Sequence, residues 1–155
     1  MSTINMTAAR AIADPTQGRL LACVEIEAEP QRVFRALTSE EITSWWVRPG
    51  VFDTREWSGD VRVGGRWRAA GVSREQPYVQ EGEFLEIGAP HKLVHTWEGA
   101  GKPGLPSTVT YLLEPFEKGT RLTIRQTGFV SCDVCNAFAI GWETSLNRLA
   151  EILVP

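Results

Sequence analysis

At 155 residues, with 43% hydrophobic and 23% charged positions, the chain can bury the core of one domain and lacks the bias of a disordered or fibrous protein. A net charge of −3 without a Lys/Arg cluster argues against nucleic-acid binding, and no apolar run approaches the roughly 20 residues of a membrane span. Three cysteines, an odd count, and an N-terminus without a hydrophobic signal region point to a cytoplasmic protein with reduced thiols.

Residues 1–18 are small and polar, broken by Asp14-Pro15 and Gly18, and are predicted to form a flexible N-terminal arm ahead of a single domain over 19–155. From Arg19, "RLLACVEIEA" predicts a strand in which Leu21, Cys23, Val24 and Ile26 form a partly alternating run. Val33, Phe34 and Leu37 then take helical spacing after Pro30, and "TSEE" at 38–41 caps a second short helix that ends at Trp45 or Trp46. From Val51 to Thr127 six β-type segments follow one another, separated by turn residues such as Ser58-Gly59-Asp60, Gly64-Gly65 and Glu117-Lys118-Gly119, which predicts an antiparallel meander. "GAGKPGLP" at 99–106 is the longest of these separators and a candidate gate. Ser131 to Leu153 predicts one long helix, with Cys135, Phe138, Trp142, Leu146, Leu149 and Leu153 on a single face. A sheet of this size needs its apolar face covered, and only this last helix is long enough. The fold class is α+β, a curved antiparallel sheet of about six to seven strands wrapped on a long C-terminal helix, with two short helices after the first strand.

In this order the segments resemble the activator of Hsp90 ATPase homologue 1-like family of the START/Bet v 1-like (SRPBCC) superfamily, whose fold is called helix-grip. The resemblance rests on "PQRVFRALTSEEITSWW" at 30–46, "VGGRWR" at 63–68, "GEFLEI" at 82–87, "KLVHTW" at 92–97, "STVTYLLEPFEKGTRLTI" at 107–124 and "GWETSLNRLAEIL" at 141–153. It implies a cavity between sheet and helix. Family members often carry a polar residue or His shortly before the Gly-Trp pair, where this chain reads "CNAFAI". In the eukaryotic co-chaperone the domain is joined to a second Hsp90-contacting domain, for which this chain has no room, so an Hsp90-type chaperone is not the expected partner.

Strand alternation nominates the cavity walls. Trp67 faces inward with Ala69, Phe84 with Gly82 and Glu86, Tyr111 with Val109 and Leu113, and Gln126 with Leu122 and Ile124. On 92–97 either face is plausible, and the one carrying His95 and Trp97 is chosen. The long helix contributes Cys135, Phe138 and Trp142, and the short helix Trp46. Trp46, Trp67, Phe84, His95, Trp97, Tyr111, Gln126, Cys135, Phe138 and Trp142 are thus the candidate ligand-binding residues. The alternative for each ring is plain core packing.

No catalytic constellation is evident. His95 could act as an acid or base, yet no Ser, Cys or Asp stands at a triad-like spacing. His91 is expected in a solvated turn. Cys132 and Cys135 have C-x-x-C spacing, but a tetrahedral metal site needs two further ligands, and Asp133 opposes thiolate formation at the helix start. The simpler reading has Ser131 capping the helix and Cys135 facing the cavity or core. No metal and no cofactor is expected. The leading function is binding a small, largely hydrophobic or aromatic molecule. The alternatives are a cyclase- or aromatase-like enzyme in the same cavity, and a chaperone-interaction or thiol-sensing stress module. A homodimer is left open.

Overall fold

The structure is a computed structural model that describes residues 8–99 and 106–154. The gate proposed for 99–106 therefore lies, from 100 to 105, outside the described residues. Nine strands form one antiparallel sheet: β1 (Arg10–Asp14), β2 (Arg19–Ile26), β3 (Val47–Arg48), β4 (Phe52–Gly59), β5 (Arg66–Ser73), β6 (Gln76–Gly88), β7 (Lys92–Gly99), β8 (Ser107–Phe116) and β9 (Gly119–Thr127). Their spatial order is β1-β2-β9-β8-β7-β6-β5-β4-β3. The helices are α1 (Pro30–Leu37), α2 (Ile42–Trp45) and α3 (Cys132–Ile152), and α3 lies in the curve of the sheet, which is the helix-grip arrangement.

The sheet thus has nine strands in place of the expected six to seven, and both additions are edges. β1 occupies residues expected in the flexible arm. It pairs with β2 from Arg10↔Cys23 to Asp14↔Arg19, and its outer edge is tied to α3. There the Ala9 amide donates to Asn147 Oδ1 at 2.7 Å and the Ala11 amide to Glu143 Oε2 at 3.1 Å. A five-residue strand of this composition is stabilised by those tertiary bonds, which no local pattern announces. β3 is only two residues long and follows directly on α2, where the helical pattern fades.

Two bulges re-aim side chains. A register shift between Thr54 and Glu56 lets Thr54 and Trp57, three residues apart, both face inward. A second shift between Phe84 and Glu86 turns Ile87 toward the core and leaves Glu86 exposed beside Lys92 at 3.1 Å. Glu86 therefore does not share the face of Phe84, because each extra residue inverts the alternation beyond it. On β2 the inward residues are Leu20, Ala22, Val24 and Ile26, while Leu21 and Cys23 are exposed. The small Ala22 hid that register.

α3 starts where Ser131 accepts a hydrogen bond from the Val134 amide, with Asp133 in its first turn. Cys135, Ala139, Trp142, Leu146, Leu149 and Leu153 are buried along one stripe, and Phe138 at its edge is half-buried. The stripe is locked by a buried polar chain: Trp142 Nε1 donates to Gln126 Oε1 at 2.8 Å, and Gln126 Nε2 donates to Ser107 Oγ at 2.7 Å. Leucine at position 126 would keep the volume but orphan the indole N–H and the serine hydroxyl. Gln126→Leu should therefore lower the unfolding free energy by roughly 2 kcal/mol or more, read from urea unfolding of the two proteins.

Candidate ligand-binding site

The space between the sheet and the middle of α3 is walled by aromatic rings. Trp46, at the end of α2, packs its ring against Phe52, Trp97 and Trp142 at centroid distances of 5.5, 5.2 and 4.8 Å. Trp97 meets Trp67 at 5.3 Å and Phe138 at 5.2 Å, nearly edge-on in both cases. Interlocked tryptophans at such angles gain edge-to-face attraction beyond the burial of their area.

The rings nearly fill the space. A chamber of about 30 Å³ remains, bounded by Trp46, Trp67, Phe84, His95, Trp97 and Tyr111 among others. That is room for about one water-sized group. A second pocket of about 280 Å³ opens beside it, between Arg48, Phe52, Arg74, Tyr78 and the α3 residues Phe138, Ile140 and Gly141. Trp46 and Gln80 line both spaces, so they form the partition.

The polar groups of the chamber have defined states. The Thr96 carbonyl can only accept, so His95 Nδ1 carries a proton and donates to it at 2.8 Å. His95 Nε2 is then the acceptor, and Tyr111 Oη donates to it at 2.9 Å. Burial pushes the imidazole from 6.5 to about 4, and it pushes the Tyr111 phenol up. Both groups are neutral across the physiological range. Trp67 Nε1 donates to the same Thr96 carbonyl at 3.1 Å. That approach needs Gly82, where a Cβ would overlap the Thr96 carbonyl oxygen and crowd Trp67 Nε1. Trp97 is 6% exposed, and its indole N–H is buried with no acceptor among the described residues. A buried donor left unpaired costs about 1–3 kcal/mol.

Eight of the ten candidate residues line one or both spaces: Trp46, Trp67, Phe84, His95, Trp97, Tyr111 and Trp142 the chamber, Phe138 the outer pocket. Leu93, His95 and Trp97 are the buried face of β7. Gln126 and Cys135 lie elsewhere. Gln126 is spent on Trp142 and Ser107, and Cys135 Sγ donates to the Arg19 carbonyl at 3.4 Å, beside the β1–β2 turn. Cys132 Sγ points to the Pro15 carbonyl in the same turn, and burial raises the Cys135 thiol, which disfavours its thiolate. Trp57, Gln80 and Trp45 were not anticipated as lining residues. Gln80 was legible, since it alternates with Gly82 and Phe84, whereas Trp57 was concealed by the β4 bulge.

The sequence profile of the family described as activator of Hsp90 ATPase homolog 1-like protein matches residues 27–154. Among solved structures, protein CV1439 from Chromobacterium violaceum is 27% identical with a TM-score of 0.78, over 89% of this chain and 98% of that one. A Rhodobacter sphaeroides protein is 22% identical with a TM-score of 0.78, over 94% and 97% of the two chains. Protein Ms6760 from Mycobacterium smegmatis is 18% identical with a TM-score of 0.77, over 93% and 95%. No curated protein matches the sequence. No helix among the described residues is long and apolar enough to cross a membrane.

The state of His95 is measurable. The folded chain keeps it neutral down to about pH 4, whereas the unfolded chain protonates it below about 6.5. Between those values the unfolded state binds more protons, so stability falls as pH falls. The contribution is fully present above pH 6.5 and amounts to about 3 kcal/mol lost on reaching the folded value. His95→Gln should remove this part of the pH dependence in urea unfolding. Imidazole nitrogen shifts of the unaltered protein should show a neutral Nδ1–H ring at pH 5.5.

Proposed function

The chain belongs to the activator of Hsp90 ATPase homologue 1-like family, of START/Bet v 1-like fold, and from that premise we propose that it binds a small, largely hydrophobic molecule between the sheet and α3. The observation that carries this reading is the unpaired indole N–H of Trp97 in an aromatic-walled chamber. An apolar molecule with one acceptor atom would satisfy that donor and stack among rings that lose little entropy on binding. The chamber alone is too small for such a molecule. The outer pocket, about 280 Å³, lies close to the lower size limit of ligand sites, and a swing of the Trp46 ring would merge the two. The walls contribute shape and hydrogen bonds, and the hydroxyl that meets a base among the described lining residues, Tyr111 on His95, is a phenol whose ionisation burial disfavours. Carriage or sensing of the ligand therefore fits them better than chemical conversion.

Thermal-shift screening against indoles, naphthalenes and acyl compounds tests the reading. A ligand at about 100 times its Kd should raise the Tm by roughly 5–10 °C. Gly141 faces the outer pocket, and a Cβ there meets only Trp46 Cη2 at 3.9 Å. Gly141→Leu should therefore fill the pocket, strengthen the helix and abolish the shift. No stabilisation across the set, or an undiminished shift in Gly141→Leu, would count against the proposal.

A further inference from the structure

We infer that the outer pocket is the head-group end of the site and that Arg48 and Arg74 bind an oxyanion on an otherwise apolar ligand. The inference rests on the binding reading above and adds the ligand's charge. Among the described residues, Arg48 and Arg74 are the only charged ones in the pocket's lining, which otherwise combines Trp46, Phe52, Phe138 and Ile140 with the neutral Ser73, Tyr78 and Gln80. Neither guanidinium forms an ion pair or a side-chain hydrogen bond with another described residue. Two other arginines of the adjoining strands do: Arg55 on β4 pairs with Asp53 at 3.1 Å, and Arg66, at the far end of β5, pairs with Glu98 at 3.1 Å and Glu81 at 3.6 Å. The Asp53–Arg55 pair matters locally, because Asp53 pairs in register with Val47, next to Arg48, and its carboxylate is engaged by Arg55 and is not part of the pocket's lining.

The backbone holds the two cations at one mouth. Arg48 sits in β3 opposite Phe52, half-buried at the pocket's side. Arg74 sits in the two-residue turn between β5 and β6, with φ at 50° for Arg74 and 69° for Glu75. Such a left-handed pair is normally built from Asn and Gly, and with these two side chains it costs backbone strain. The turn is braced by the Arg74 amide, which donates to the Val51 carbonyl at 2.8 Å, so the strained turn is held against the β3–β4 turn. The outcome is two guanidiniums, unpaired among the described residues, above an apolar wall, on a protein of net charge −3. Guanidinium groups hold carboxylates and sulfonates through charge-assisted, often bidentate, hydrogen bonds. A ligand with an oxyanion at one end and an aromatic or acyl body directed toward Trp46 would use both surfaces.

A matched pair of fluorescent probes tests this. 8-Anilinonaphthalene-1-sulfonate and N-phenyl-1-naphthylamine share a ring system and differ by the sulfonate. The sulfonate probe should bind at least about tenfold more tightly, with the advantage shrinking as salt rises. Arg48→Gln and Arg74→Gln should each weaken the sulfonate probe several-fold, and the double variant should bring the two probes level. Binding of the neutral probe should stay within about twofold throughout. Excess inorganic sulfate at fixed ionic strength should displace the sulfonate probe only weakly, because it lacks the apolar body. Equal affinity of the two probes for the unaltered protein, or equal losses for both in the arginine variants, would overturn the inference and leave hydrophobic binding intact. No binding of either probe would overturn both readings.

Discussion

The arrangement depends on one buried hydrogen-bond chain, from Trp142 through Gln126 to Ser107, that fastens the middle of α3 to the middle of the sheet. Hydrophobic burial alone would let the helix slide or roll over a smooth apolar surface. A glutamine whose oxygen and nitrogen are each committed to one partner permits a single register. The ring of Trp142 is fixed as a result, and three of the chamber's walls are set against it: Trp46 at 4.8 Å, Trp97 at 5.9 Å and Tyr111 at 5.9 Å. Gln126 does not touch the chamber, yet it determines the chamber's shape.

From that fixed ring outward, the polar groups divide into two kinds. His95 and Tyr111 satisfy each other, and the Thr96 carbonyl absorbs the remaining His95 proton and the Trp67 N–H. Those interactions are closed, and their energy goes into rigidity. Trp97 is different, because its N–H has no partner in the same enclosure. With those groups committed to one another, the Trp97 N–H is the fully buried donor of the chamber that has no partner among the described residues, and an entering acceptor can be held there. Trp46 joins the sheet-side rings to the outer pocket and is held mainly by ring–ring contacts, its indole N–H taking no part in the hydrogen bonds that fix Trp67 and Trp142.

Much of this was legible in the sequence, because strand alternation and helical spacing are local. Trp67, Tyr111 and Trp142 could be assigned to the inner faces from period, whereas on 92–97 alternation left both faces open and the one carrying Trp97 was a choice. The order of the elements was itself what carried the family resemblance. What escaped prediction depends on contacts distant in sequence. β1 exists because Asn147 and Glu143 on α3 receive its outer amides, and nothing in "RAIAD" states that. The bulges in β4 and β6 reverse the local parity, and so place Trp57 inside and Glu86 outside against simple alternation. Cys135 follows the helical stripe as expected, yet the stripe there faces the β1–β2 turn, so its burial carries no information about the chamber.

The site's charge character follows from the same geometry. Among the described residues its formal charges are two guanidiniums, and no carboxylate lines either space. The strongest acceptor inside, His95 Nε2, is consumed by Tyr111, and burial holds the ring neutral, so no positive charge arises in the chamber itself. The enclosure therefore offers an uncharged donor at its inner end and cationic donors at its mouth. An amine would meet repulsion at the mouth and no charged acceptor within, whereas an anion would be attracted before its apolar body was buried. Such an order separates two tasks. Under the proposed binding, long-range charge would select which molecules approach, and the rings behind Trp46 would select which of those fit.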